Sequence, residues 1–222
     1  MVGQAPEEGS HRGLVRLVVA GLIWPLTYVV FQILSDVLPP QHGYLAGFVF
    51  YWALLAALNV VFLGRAGLAV VTERPPLRSP VDRVLAGSCL AMALPPFFLV
   101  FLSAAPELTS LGWLLLIAAA CCNGTMEELF WRGVFVHRYS DDVWRAYILP
   151  TLFFTLWHLT LVAVPDIHYD GGKAALVGGA AAFGIVWGYV AFRQRSVVFT
   201  TLGHVAVNFF AFSGLIQQNW PG

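Results

Sequence analysis

Long apolar stretches alternate with short polar joints along the whole 222-residue chain. Each stretch reaches the ~20 residues that a helix needs to cross the hydrocarbon core of a bilayer. The pattern predicts seven spans, at 14–37, 43–71, 83–103, 110–137, 145–164, 173–192 and 197–217. Helix-breaking residues mark the cuts: Pro39-Pro40, Pro75-Pro76 with Pro80, Pro106, Pro165 and Gly171-Gly172. Pro25, Pro95-Pro96 and Pro150 fall inside spans and are expected to kink them or to mark shifted ends. The fold class that follows is all-α, a polytopic transmembrane helix bundle. A polar tail at 1–13 precedes a first span that is too long for a cleaved leader. The joints are short, and neither a repeat nor a domain linker interrupts them.

Composition strengthens this reading. The chain is 59% hydrophobic and 11% charged, with a formal net charge of zero. Lipid must therefore act as its solvent, and no nucleic-acid partner is expected. Eleven of the twelve basic residues are Arg, which with the Ala/Val/Leu/Gly bias suggests a GC-rich bacterial genome and the cytoplasmic (inner) membrane of a bacterium. Cys89, Cys121 and Cys122 all lie in apolar runs and read as neutral filler. The arginines also orient the bundle. Arg12 and Arg16, then Arg65, Arg74, Arg78 and Arg83, then Arg138 and Arg145, and finally Arg193 and Arg195 occupy one set of joints and flanks. The opposite joints hold only Lys173, so the N-terminus is expected in the cytoplasm and the C-terminus outside.

Ionisable residues within spans are costly and mark function by default. Glu127, Glu128 and Arg132 lie in the fourth span, His158 in the fifth and His204 in the seventh. At 1.5 Å per residue, Glu127 lies about 16 Å from Arg138, His158 about 20 Å from Arg145 and His204 about 14 Å from Arg195. The three helices thus share one polar level, nearer the cytoplasmic face. Glu128 and Arg132 have the i,i+4 spacing of a helical ion pair and read as a structural brace. Glu127, turned about 100° away, is expected to be the free carboxylate. Phe154 shares a face with His158, as His204 does with Asn208. A Glu and a His can polarise a water for attack on a carbonyl, and a second His with an Asn can donate to the oxyanion. Amide hydrolysis fits that set. The alternatives are a hydrogen-bonded core in a non-enzymatic immunity or scaffold protein, and a proton relay in a transporter. No HExxH, GxSG, GxGD, Walker or dinucleotide motif is present.

Three motifs at these residues resemble those of the CPBP family, the CAAX-protease and bacteriocin-processing (Abi/Rce1-like) glutamic intramembrane proteases. EELFWRG (Glu127–Gly133) resembles its EExxxR motif, FTLWH (Phe154–His158) its FxxxH motif and HVAVN (His204–Asn208) its HxxxN motif. The resemblance covers about 110–212 and implies a helical membrane endopeptidase. It implies a catalytic core at 110–217 and accessory helices at 14–109, acting on a membrane-associated or C-terminal peptide substrate. It further implies that Glu127 and His158 activate water and that His204 with Asn208 steadies the oxyanion, while Glu128, Arg132 and Phe154 support them. No cofactor is expected, although two His and a Glu are a set that zinc could use. Two positions depart from the family pattern: Thr200 stands where Pro is common, and Trp131 where a smaller aromatic is usual. Gly178, Gly179, Gly184 and Gly188 in the sixth span are expected to let helices pack closely, with room for a substrate peptide as the alternative.

Overall fold

The computed structural model describes residues 6–220, with side chains from Gly13 onward. Among these residues every regular element is helical, and seven helices are long and apolar enough to cross a membrane. They are α1 (Pro6–Val37), α2 (Pro40–Phe62), α4 (Pro80–Glu107), α5 (Ser110–Tyr139), α6 (Trp144–Ala163), α7 (Gly172–Gln194) and α8 (Val198–Asn219). A short helix, α3 (Gly64–Val71), follows α2. The tail expected at 1–13 lies outside the described residues up to position 5, and from Pro6 the chain is helical.

Sequence and structure differ most in the second span. Its expected range of 43–71 is cut after Phe62, because Gly64 takes a left-handed φ of +59° that ends α2 and lets α3 turn away. The third span is longer than expected and irregular inside. Pro95-Pro96 removes backbone donors, and the chain continues through a π-turn at Phe97–Phe101. Ser79 and Asp82 close a capping box at the start of α4, with reciprocal bonds of 3.1 and 3.0 Å. Thr109 caps α5 by accepting from Gly112 N at 3.1 Å.

Side chains such as Leu14, Val29, Val60, Leu99 and Leu114 are exposed on the outside of the bundle. In water this would be an aggregating surface; in hydrocarbon it costs nothing. Helix association must then come from packing and interhelical hydrogen bonds. Both are present. Thr27 and Thr160 join α1 to α6 through a buried 3.2 Å hydroxyl contact, and Gln32 Nε2 donates to Ala163 O at 3.1 Å. The glycines of α7 divide by role. Cβ atoms at Gly184 and Gly188 would press on Phe154 and on Thr151 and Tyr147 of α6, whereas Gly178 meets nothing within 4 Å.

One end of the bundle is closed. Phe130, Trp131, Val134, Phe135 and Val197 are all almost inaccessible there. Val197 N donates to Val71 O at 2.9 Å and Ser196 Oγ to Glu73 O at 2.8 Å, tying two joints together. This is the end that carries the arginine-rich joints.

Candidate active site

Within α5 the chain places Asn123, Glu127, Glu128 and Arg132 on neighbouring turns. Asn123 and Glu127 are four apart and share a face, and Asn123 Nδ2 donates to Glu127 Oε2 at 3.1 Å. Tyr51 of α2 donates its hydroxyl to Glu127 Oε1 at 2.9 Å and accepts from Trp131 Nε1 at 2.9 Å. His204 Nε2 of α8 lies 3.3 Å from Glu127 Oε2. The expectation of a free carboxylate is therefore corrected. Glu127 has a partner on its own helix and two more from other spans. The physical reason is burial: a carboxylate with no solvent access must be matched by donors.

Glu128 accepts the Arg132 guanidinium at 3.0 Å, as its spacing suggests, and His204 Nδ1 lies 2.8 Å from the same oxygen. One imidazole thus spans two adjacent carboxylates. Arg132 is itself buried and lies over the Phe154 ring at 4.2 Å, a cation–π contact that is stronger away from water. Arg132 sits in a π-turn at Leu129–Val134, a local widening of α5 of the kind frequent at functional sites.

His158 Nδ1 is 2.9 Å from its own Phe154 carbonyl. A carbonyl only accepts, so Nδ1 carries the hydrogen and Nε2 is the acceptor. Asn208 Nδ2 is buried with no hydrogen-bond partner. His158, His204, Asn208, Phe154 and Asn123 all line one cavity of about 270 Å³ whose remaining wall is largely apolar. Glu127, Glu128 and Arg132 are not on that wall. They lie behind it: Glu127 touches Asn123 and His204, Glu128 touches His204, and Arg132 touches Phe154, all three of which are on the wall. Trp187 stacks on His204 at 4.4 Å between ring centres and limits its swing.

Three contributors escape a reading of the sequence. Tyr51 and Trp52 come from the second span, Trp52 Nε1 donating to Asn123 Oδ1 at 2.9 Å. Nothing in the linear pattern separates these aromatics from the lipid-facing ones around them. Asn123 did leave a signal, an amide four residues before Glu127 in an apolar run, the same spacing as His204 and Asn208. The site also crosses the expected boundary at 109/110, since α2 supplies donors to it.

Residues 109–210 match the family described as Type II CAAX prenyl endopeptidase Rce1-like. This similarity takes in just under half of the chain. No curated protein and no solved structure matches it. The matched stretch covers all three motifs and is similar to a peptidase family, and the seven apolar helices support an integral membrane protein. Within the matched stretch both ring nitrogens of His204 are taken by carboxylates and one of His158 by a backbone carbonyl. Among the described residues no group of three or more His, Cys, Asp or Glu side chains could hold a metal ion. The two-His, one-Glu set that the sequence offers to zinc does not fit this arrangement.

Proposed function

We propose that this protein is an intramembrane endopeptidase of the bacterial cytoplasmic membrane. It hydrolyses a peptide bond of a membrane-associated or C-terminal peptide substrate with a water activated by Glu127 and His158. The observation that carries the reading is the pairing of an acceptor, His158 Nε2, with an unmatched buried donor, Asn208 Nδ2, on the wall of one largely apolar cavity. An orphaned donor in such a place costs about 1–3 kcal/mol, which is compensated when a developing oxyanion takes its hydrogen bond.

The network suggests how water reaches the carboxylate. The His204 contact to Glu127 is the longest of the three at Glu127, at 3.3 Å against 2.9 and 3.1 Å. A water that replaces it bonds to Oε2, while His158 Nε2 accepts its second O–H. The water oxygen then adds to the peptide carbonyl carbon and its proton passes to Glu127. The carbonyl oxygen becomes an oxyanion held by Asn208 Nδ2 and by the released His204 N–H. Collapse breaks the C–N bond, and Glu127 returns the proton to the departing amine. Glu128 and Arg132 keep their mutual pairing throughout and brace α5.

A second reading is favoured by one specific feature. Glu127 is fully matched by protein donors, as it would be in a polar core that only holds helices together in an immunity or scaffold protein. Comparative membrane peptidomics separates the two. Glu127→Gln keeps the shape and removes the base, so peptides released in cells with the natural chain should be lost with the variant at equal protein level. Unchanged release would leave the scaffold reading.

A further inference from the structure

The cavity has a direction, and it is not the one that depth along the helices suggests. Most of its lining comes from the helix halves remote from the arginine-rich joints, with Trp187 of α7 and His204, Val207 and Asn208 of α8 as its floor on the near side. α2 contributes Tyr44 and Phe48 near its start, α6 Trp157 and Leu161 near its end, and α8 Phe212 and Leu215 near its end. The joint after α6 closes part of the rim. Tyr169 donates to Leu161 O at 2.9 Å, Asn219 clasps the His168 backbone at 2.8 and 2.9 Å, and Asp170 accepts from Gln218 at 2.8 Å. Burial pushes the Tyr169 phenol above its ordinary range, so it stays a neutral donor. Toward the arginine-rich joints the way is shut by the packed aromatic layer around Trp131.

There is also a side to the cavity. α4 and α7 meet at the arginine-rich end, where Gln194 Nε2 donates to Asp82 O at 3.3 Å. Farther along, Leu99 and Val100 of α4 and Leu176 and Gly179 of α7 line the cavity from its two sides. Leu99 is 78% exposed and Ala175, also on the lining, is exposed too, so the wall here is continuous with the lipid-facing surface.

We infer that the substrate enters from the extracytoplasmic half of the membrane, between α4 and α7, as an apolar segment of a membrane-anchored peptide. The inference rests on the peptidase reading above. Ten arginines against one lysine set the closed end in the cytoplasm, so the open end faces away from it. An extended segment exposes backbone groups that lipid cannot satisfy, and at membrane depth it is stable only inside protein. This cavity offers that shelter, with apolar walls for side chains and His158 and Asn208 at its polar floor. Gly179 leaves the path clear: a Cβ there would touch only Phe183, at 3.7 Å, so a larger side chain fits the helix but occupies the cavity.

Two adjacent glycines supply the test. Gly179→Leu should cut peptide release at least tenfold at unchanged protein level, whereas Gly178→Leu, whose Cβ meets nothing within 4 Å and which is not on the lining, should leave it unchanged. Ala175→Cys, on a background with Cys121 and Cys122 replaced by Ala, should react with a membrane-impermeant maleimide in right-side-out vesicles and not in inside-out ones, and the adduct should block cleavage. Reaction only in inside-out vesicles, or full cleavage by Gly179→Leu or by the labelled protein, overturns the entry route. Full cleavage by Glu127→Gln instead overturns the peptidase mechanism, so the two failures are distinguishable.

Discussion

Glu127 and Glu128 are chain neighbours that the fold uses differently. Glu128 faces Arg132 and His204 Nδ1, whereas Glu127 faces Tyr51, Asn123 and His204 Nε2. On the proposed mechanism, Glu127→Gln removes the base and should lower peptide release by roughly 10²–10⁴-fold with the helices intact, read by cleavage against membrane protein level. Asn208→Ala should cost about 10²–10³-fold in turnover. Because Nδ2 has no partner to lose, the same change should leave thermal stability in detergent unchanged or higher. Arg132→Ala should act in the opposite way. It leaves Glu128 as a buried charge matched only by His204 and the Thr200 hydroxyl and strips the guanidinium from Phe154, so the folded amount falls first. The Glu128–Arg132 brace was legible from spacing alone. The occupancy of Glu127 was not, because two of its three donors come from other helices and spacing describes one helix at a time.

Small-residue contacts hold the helices together in lipid. Gly188 lies against Thr151 and Tyr147 of α6, and its Cβ would fall 2.6 Å from Thr151 Oγ1. Gly188→Leu should therefore separate α6 from α7 and reduce folded protein, measured by size-exclusion recovery, whereas Gly178→Leu should not. Thr160→Val removes the hydroxyl contact with Thr27 and should cost only about 0.6 kcal/mol, the average for such bonds between membrane helices, in a denaturation series. The small-residue spacing of the sixth span suggested packing, and for Gly184 and Gly188 the structure agrees. It could not show that Gly179, one residue from a position open to lipid, lines a cavity, since that depends on where α4 runs.

Across the whole molecule, the alternation of arginine-rich and arginine-poor joints divides the bundle into a sealed end and an end with a cavity. Glu73→Cys and His168→Cys, in joints at opposite ends, should label with impermeant maleimide from opposite faces, Glu73→Cys from the cytoplasm. Labelling of both from one face would contradict the arrangement of seven spans.

Hydrophobic run length determined the all-helical membrane fold, because a bilayer admits few other solutions for a chain so poor in charge. The motif spacings determined which polar residues share a depth, because helical rise is constant. Neither quantity contains the packing of one helix on another. Only the tertiary structure could bring Tyr51 to Glu127, leave Asn208 without a partner and fill the arginine-rich end with aromatic side chains. Depth places the polar level nearer the arginine-rich end; packing turns its cavity the other way.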